Sequence, residues 1–311
     1  MWKALSQVNG YALTLPLDAS IRDDPSVNSA SLVVATSAPT RRFTVCRWIS
    51  MKHIASKTRA KTDLYWTIGL QHAAGGFASE ICVAAIAVVP LPDNVSLKLG
   101  ALAEPLAVAA HMIRISGFSK GQRALVLGAG PIGCALTLLL KEAGARCILV
   151  SEVTESRSAQ ASACGADEVV NPIISSSAVL DATMRLMAPG ADVAFDACGI
   201  QTTFDEAFAC TKLGGTIFNV AIHEKALQID LNRLVLSEKR LLAGNAYTAE
   251  DFANVVRLLE RRGSDIESFI AAVIPLENAV QGGFDELVNN KARHSKILIE
   301  VNGEEVNGEA S

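Results

Sequence analysis

Three glycines, Gly128, Gly130 and Gly133, have the spacing G-x-G-x-x-G, which suits the binding of a pyrophosphate. They follow the apolar run ALVL and open a run with helical periodicity. Gly128 permits a tight turn, Gly130 lets a pyrophosphate approach the backbone, and Gly133 lets helix and strand pack closely. Pro131 suits the first helical turn, where no N–H is needed, and Ile132 completes the loop. The pattern predicts a dinucleotide at the amino-terminal end of a helix.

An acidic residue, Glu152, follows the next apolar run, CILVS. A carboxylate at this place accepts hydrogen bonds from the adenosine ribose hydroxyls, and its charge repels a 2′-phosphate. We therefore expect NAD to be preferred to NADP. Arg157, on the helix that follows, is open to two interpretations. In the first, Arg157 contacts the cofactor, either by lying along the adenine or by shifting the preference toward NADP. In the second, it is a solvated arginine on the helix surface.

A single carboxylate, Glu104, lies inside the almost wholly apolar run GALAEPLAVAAHMIRISGF, residues 100–118. A buried carboxylate without a partner is costly, so such a group usually has a partner or a chemical role. The residues alone do not say which of the two applies to Glu104.

Two later apolar runs, DVAFDA and TIFNVAI, end in residues that suit ligand binding. In open α/β sheets, ligands lie beyond the carboxyl ends of the strands. The cofactor contacts expected at these two ends are Cys198, Gly199, Val220 and Ala221. For Asp196, an ordinary position in a strand and turn is favoured over a functional one.

The elements that must position these residues alternate regularly from residue 101 onward. Apolar strands are predicted at 124–127, 147–151, 168–170, 192–197, 216–222 and 241–247. Helices are predicted at 101–115, 131–143, 155–163, 177–188, 201–211 and 231–238. This alternation predicts an α/β fold with a doubly wound, six-stranded parallel Rossmann sheet. A helix (249–262), a strand (271–276), a second helix (277–290) and a last strand (296–301) are expected to follow.

Composition and charge bound the function. The chain has 311 residues, enough for two domains or one large one. Half of the residues are hydrophobic and 19% are charged, which is typical of a globular protein. A net charge of −4 without a long basic run argues against nucleic acid as a partner. No apolar run reaches the ~18 residues of a membrane span, and the first residues do not resemble a secretory signal. The seven cysteines form no C-x-x-C pair, so we expect free thiols and a cytoplasmic protein.

Several stretches together resemble one known family. They include GLQHAAGGFASE (69–80), LPDNVSLKLGALAEPLAVAAH (91–111), LVLGAGPIG (125–133), FDACGIQTTFD (195–205), NVAIHEK (219–225) and KILI (296–299). In this order they resemble the medium-chain dehydrogenase/reductase family, and most closely its 2,3-butanediol and sorbitol dehydrogenase branch. The resemblance implies a Rossmann domain inserted in a GroES-like β domain, which is built from amino- and carboxyl-terminal segments and incomplete here.

The resemblance also implies domain boundaries. We expect a divergent segment at 1–66, which reads as a family start that was lost or replaced. The rest divides into a remnant of the GroES-like domain at 67–104, the NAD-binding domain at 105–250, and a carboxyl-terminal part at 251–311 that returns to the β domain. Family members are commonly homodimers or homotetramers joined through the cofactor domain.

The implied activity is NAD-dependent hydride transfer with a secondary alcohol, diol, polyol or the matching ketone. The resemblance places Glu104 at the family's catalytic zinc site. The family's other zinc motifs, G-x-C-G-S-D-x-H and G-H-E, are absent from residues 1–70. Only Cys46, His53 and His72 are left as possible partners for Glu104. We expect His72 as a second catalytic residue, with a loop histidine as the alternative, and we expect no bound zinc. The other candidate functions are a zinc-free quinone or enone reductase and a non-catalytic NAD(H)-binding remnant.

Overall fold

The computed structural model describes residues 43–45, 77, 88–270, 272–290 and 296–301. Its strands are β1 (Phe43–Val45), β2 (Val88–Pro90), β3 (Arg123–Leu127), β4 (Cys147–Ser151), β5 (Glu168–Val170), β6 (Ala191–Asp196), β7 (Thr211–Asn219), β8 (Arg240–Ala243), β9 (Ala272–Pro275) and β10 (Ile297–Glu300). Its α-helices are α1 (Leu97–Gly100), α2 (Ala103–Ile115), α3 (Pro131–Glu142), α4 (Glu155–Ala163), α5 (Ala178–Met187), α6 (Gln201–Cys210), α7 (Leu231–Ser237), α8 (Ala249–Ile266) and α9 (Glu286–Asn289).

Six of these strands form one sheet in the order β5-β4-β3-β6-β7-β8, and every neighbouring pair is parallel. The chain order reverses between β3 and β6, which is the switch point where doubly wound sheets bind ligands. This arrangement confirms the predicted Rossmann sheet.

The central strands are buried on both faces because helices cover the sheet on each side. Val126 and Phe195 pack with α2, α3 and α8, whereas Leu125 and Ala194 pack with α5 and α6. The carboxyl ends of β3, β4, β6 and β7 are therefore held at one edge of a rigid sheet. The loops that follow these strands carry the predicted cofactor residues.

Helix α2, which carries Glu104 in its first turn, is fastened to α8 by a network of charged residues. The carboxylate of Asp251 accepts a hydrogen bond from Arg114 Nε at 2.8 Å and lies 2.7 Å from His111 Nδ1. It also accepts hydrogen bonds from the backbone N–H and hydroxyl of Thr248, the N-cap of α8. These contacts fix the direction of α2 and so the place of Glu104.

The remaining strands form two small sheets outside the Rossmann domain. β1 pairs with β2 in antiparallel fashion, and β9 pairs with β10 in parallel. The single helix predicted at 277–290 is instead a 3₁₀ turn (Leu276–Asn278), a π-helix (Ala279–Asp285) and α9. Gly282 and Gly283 lie in the π-helix, and glycine weakens α-helical structure there.

Of the segment 67–104, expected to be a remnant of the GroES-like domain, the structure describes residue 77 and residues 88–104. The strand β2 closes at Pro90, and Ser96 caps helix α1, accepting from Leu99 N at 3.1 Å. Almost all of the segment 1–66 lies outside the described residues. Within the described part of the chain, no helix has the length and apolar character needed to cross a membrane.

Candidate functional site

The glycine loop between β3 and α3 has the geometry that its spacing predicted. Gly128 has a φ of +96°, and a Cβ there would lie 2.4 Å from Cys198 Sγ. A Cβ at Gly133 would lie 1.8 Å from the carbonyl oxygen of Gly128. A Cβ at Gly130 would meet nothing within 4 Å, although Gly130 is the N-cap of α3. Packing therefore requires Gly128 and Gly133, while Gly130 borders open space, as the close approach of a pyrophosphate to the backbone would need.

Pro131 and Ile132 form the first turn of α3, where backbone N–H groups point out of the helix end. The helix dipole adds a partial positive charge at this end. Open space at Gly130 and free donors at the helix end together make an anion-binding geometry. The residues present thus fit the dinucleotide that the sequence predicted.

Glu152 lies beside this loop and is buried. Its Oε2 accepts a hydrogen bond from Ala129 N at 2.7 Å, and its Oε1 accepts from Val153 N at 3.0 Å and Thr154 N at 2.9 Å. The carboxylate is therefore fixed between the glycine loop and the end of β4. Each oxygen keeps lone pairs for further donors, such as ribose hydroxyls.

Arg157 lies in the first turn of α4, close to this group of residues. A hydrogen bond to Cys164 and burial raise the pKa of the Cys134 thiol, and the positive charge of Arg157 opposes that rise. Cys134 belongs to α3, so the charge of Arg157 on α4 acts on a group of the helix that follows the glycine loop. Both interpretations of Arg157 stay predictions.

The turn after β6 is shaped by Asp196. Its Oδ1 accepts hydrogen bonds from Cys198 N at 3.0 Å, Gly199 N at 3.1 Å and Thr203 Oγ1 at 3.0 Å. The Cys198 thiol donates to the carbonyl of Leu127 at 3.3 Å, just before the glycine loop. These contacts agree with the favoured interpretation of Asp196 as a turn residue. They also bring Cys198 and Gly199 against the glycine loop.

The turn after β7 is joined to the same place. The carbonyl oxygen of Asp196 accepts from Val220 N at 2.9 Å and Ala221 N at 3.1 Å. A Cβ at Gly199 would lie 2.8 Å from the Cβ of Ala221. The structure therefore gathers the predicted residues of the second half of the site at one edge of the sheet.

Glu104 has a charged neighbour that sequence reasoning missed, Lys296. Burial raises the pKa of Glu104 to about 7, and the charge of Lys296 opposes this rise. Burial lowers the pKa of Lys296, and Glu104 opposes that change in turn. Lys296 is 5% exposed and lies directly before β10. In the sequence, Lys296 is a single lysine at the start of the apolar strand KILI, and this position could have indicated a buried charge.

Lys296 also connects Glu104 to the cofactor edge. It lines a small cavity together with Pro105, Leu106 and Pro131 of the glycine loop. The first turn of α2, the head of β10 and the start of α3 thus meet at one point. Glu104 therefore lies at the junction between the Rossmann domain and the carboxyl-terminal strands.

A zinc ion needs about four ligands, three of them commonly from the protein at a catalytic site. Among the residues that the structure describes, no three His, Cys, Asp or Glu side chains form a group that could hold a metal. Cys46, His53 and His72 lie outside the described residues. The described residues around Glu104 therefore do not fit zinc.

A family model and two relatives match this chain. A family model described as zinc-binding dehydrogenase matches residues 131–261. A (R,R)-butanediol dehydrogenase of Saccharomyces cerevisiae is 36% identical over 241 residues, which are 76% of this chain and 63% of the yeast protein. The match thus spans less than two thirds of that relative's length. The (R,R)-butanediol dehydrogenase of Bacillus subtilis is 32% identical over 235 residues, 76% of this chain and 67% of that protein.

The fold has a counterpart among solved structures. The crystal structure of the 2R,3R-butanediol dehydrogenase from Bacillus subtilis aligns with a TM-score of 0.73 at 25% identity. The alignment covers 93% of this chain and 85% of that chain.

Proposed function

Because the chain belongs to the zinc-binding dehydrogenase family, we propose that it is an NAD-dependent oxidoreductase of secondary alcohols, diols or polyols and the matching ketones. The names of the yeast and Bacillus relatives supply the substrate class, a vicinal diol. The observation that carries the proposal is the geometry of the glycine loop. A Cβ at Gly130 would meet no atom within 4 Å, and Glu152 lies beside the loop, where it accepts a hydrogen bond from Ala129 N.

In this proposal, NAD supplies the hydride chemistry when bound. The first turn of α3 binds its pyrophosphate through backbone N–H groups. Glu152 accepts hydrogen bonds from the adenosine ribose, and its charge disfavours the 2′-phosphate of NADP. Val220 and Ala221, with Cys198 and Gly199, border the nicotinamide half.

We place the acid–base function on Glu104, with His72 as the second catalytic residue. A carboxyl group whose pKa is raised to about 7 can hold or release a proton near neutral pH, as the alcohol–ketone conversion requires. Lys296 supports this role because its charge keeps the pKa from rising further. His72 lies outside the described residues, so its role rests on the family resemblance.

A second candidate function is zinc-free reduction of a quinone or enone, or NAD(H) binding without turnover. The observation that favours it is Lys296, which gives Glu104 a positive neighbour from the protein itself. A buried ammonium group beside the acid reduces the need for a metal as its counter-charge.

The cofactor assignment is tested by titrating the chain with NADH and following fluorescence or thermal shift. Wild-type protein should bind NADH, and Gly130→Asp should lose binding because a carboxylate would stand where the pyrophosphate lies. Ala143→Asp is the control, since Ala143 is exposed at the opposite end of the same helix, α3, and has ordinary helical backbone angles. Equal NADH binding by both variants would overturn the assignment.

The reaction is tested by measuring NAD reduction over a panel of diols and polyols, beside a metal analysis of the purified protein. Turnover of a diol supports the dehydrogenase. We expect well under one zinc per chain and no effect of a chelator. Stoichiometric zinc with chelator-sensitive turnover would show that the reaction depends on zinc. NADH binding without turnover of any diol or ketone would favour the second candidate function.

A further inference from the structure

The side-chain amide of Asn219, at the end of β7, fixes the tautomer of the neutral ring of a neighbouring histidine, His223. Asn219 Nδ2 donates to the carbonyl oxygen of Ala221 at 2.9 Å, so its Oδ1 faces the other way. Oδ1 lies 2.6 Å from Nε2 of His223. Because an amide oxygen only accepts, Nε2 must carry the hydrogen. In the neutral ring, Nδ1 then carries a lone pair and acts as an acceptor.

This acceptor is buried and has no hydrogen-bond donor among the described residues. It lies 3.7 Å from the position that a Cβ of Gly199 would occupy. A second buried acceptor without a donor in the described part, Oδ2 of Asp196, belongs to the residue whose Oδ1 binds Gly199 N. Buried acceptors left without donors cost free energy, and such cases call for an explanation.

The place of these acceptors in the sheet suggests which donor they meet. They lie in the turns after β6 and β7, in the half of a Rossmann sheet that binds the second mononucleotide of a dinucleotide. In NAD this second half is nicotinamide riboside, which carries ribose hydroxyls and a carboxamide N–H₂. Both groups are hydrogen-bond donors.

We propose that Nδ1 of His223 accepts a hydrogen bond from the nicotinamide-riboside half of the bound dinucleotide. The inference rests on the proposed NAD binding and adds a cofactor-contacting residue to it. The segment between β7 and α7, residues 220–230, has neither helix nor strand. His223 lies in this segment, directly after the strand end that carries Asn219.

The test compares three ligands on the full chain by calorimetry: ADP, ADP-ribose and NADH. ADP lacks the second ribose, ADP-ribose has it without nicotinamide, and NADH has both. His223→Leu should bind NADH roughly 3- to 10-fold more weakly, as the loss of one hydrogen bond predicts, and should bind ADP like the wild type. Unchanged ADP binding shows that the variant is folded at the glycine loop.

Two further variants sharpen the result. His223→Asn keeps a donor and an acceptor on one side chain and should recover part of the NADH affinity. Glu224→Gln, at the exposed neighbouring residue, should bind all three ligands like the wild type. A loss shared by ADP-ribose and NADH assigns the bond to the ribose, and a loss confined to NADH assigns it to the carboxamide.

The inference fails if His223→Leu binds NADH as tightly as the wild type, or if it weakens ADP to the same extent as NADH. Failure of the proposed function is a different result, because wild-type protein would then bind neither NADH nor ADP.

Discussion

At the scale of single residues, the carboxylate of Glu152 combines a structural role with a proposed binding role. It accepts three backbone hydrogen bonds, and so ties Ala129 in the glycine loop to the end of β4. In the proposed complex it also accepts from the adenosine ribose. The contacts within the protein fix the carboxylate before any ligand arrives, so binding does not have to order it.

Replacing Glu152 with serine should weaken NADH binding roughly tenfold or more, because hydrogen bonds to a charged acceptor are lost. NADPH binding should weaken less or improve, since the charge that repels the 2′-phosphate is gone. The two affinities, measured by fluorescence titration, give the change in preference. Glu155→Ser is the control, as Glu155 is an exposed carboxylate on the following helix. An unchanged ratio of NADH to NADPH affinity would show that Glu152 does not discriminate.

Residues of the site were predictable from sequence where spacing alone defines them. The glycines and Glu152 belong to one strand–loop–helix–strand unit, so their relation is local in the chain. Lys296 and His223 were missed because their partners are set by tertiary structure. The charge of Lys296 acts on Glu104 only because the chain before β10 returns to the first turn of α2. His223 stands out only once the amide orientation of Asn219 is known.

At the scale of elements, the charges of Glu104 in helix α2 and of Lys296, directly before strand β10, act on each other. Removing one partner leaves a buried charge without compensation, which commonly costs more than replacing both. Glu104→Gln and Lys296→Met should each lower the free energy of unfolding by on the order of 2–4 kcal/mol. The double variant should lose less than the sum of the two, by about 1 kcal/mol or more.

Urea unfolding of the four proteins, with and without a chelator, measures this coupling. The chelator arm separates the pair from any metal that Glu104 holds. Lys225→Met, at an exposed lysine, should leave the free energy of unfolding nearly unchanged. Strictly additive losses in the double variant would show that Glu104 and Lys296 act independently.

A second charged group joins the amino-terminal ends of three central strands. Burial would raise the pKa of Asp192 on β6, but hydrogen bonds from Arg123 of β3 and Lys212 of β7 outweigh it and hold the pKa at about 2. The ordinary value is 3.8, so the folded state binds this proton more weakly than the unfolded state. The stabilisation is therefore present above pH 4 and is lost as the pH falls from about 4 to 2.

Asp192→Asn should lower the free energy of unfolding by about 1–3 kcal/mol at pH 7, where the wild-type carboxylate is charged. The difference between wild type and variant should shrink as the pH falls through this window. Urea unfolding at a series of pH values measures it, with Asp93→Asn at an exposed aspartate as the control. If the difference in the free energy of unfolding does not change with pH, the destabilisation comes from altered packing and not from the lost charge of Asp192.

Element bounds were predictable where local signals mark both ends. The predictions for β4, β5 and α4 agree with the structure, and Gly144 and Gly165 have positive φ directly after α3 and α4. The start of β7 was not predictable. The strand begins at Thr211, immediately after α6, and its pairing with β6 shifts register between Ala191 and Val193. Such a shift depends on the neighbouring strand and leaves no periodic signal.

At the scale of the whole molecule, the sheet has an edge at β8 in the described part of the chain. An edge strand presents unpaired N–H and C=O groups, which proteins usually cover or pair. Helix α7, just before this edge, has no buried residue, and Leu231, Val235 and Leu236 are 67%, 73% and 85% exposed. Adjacent exposed apolar side chains of this kind indicate an interaction surface.

We therefore expect two copies of the chain to pair through α7 and β8, in line with the homodimer that the family resemblance implied. Leu236→Lys places a charge on this surface and should shift the protein from dimer to monomer in sedimentation velocity. NADH binding should persist, because α7 carries none of the residues assigned to the cofactor. Leu213→Lys is the matched control, since Leu213 is 76% exposed at the other end of β7 and should leave the dimer intact. A wild-type protein that stays monomeric at micromolar concentration would show that there is no such contact. A dimer that survives Leu236→Lys would show that the two copies pair through another surface.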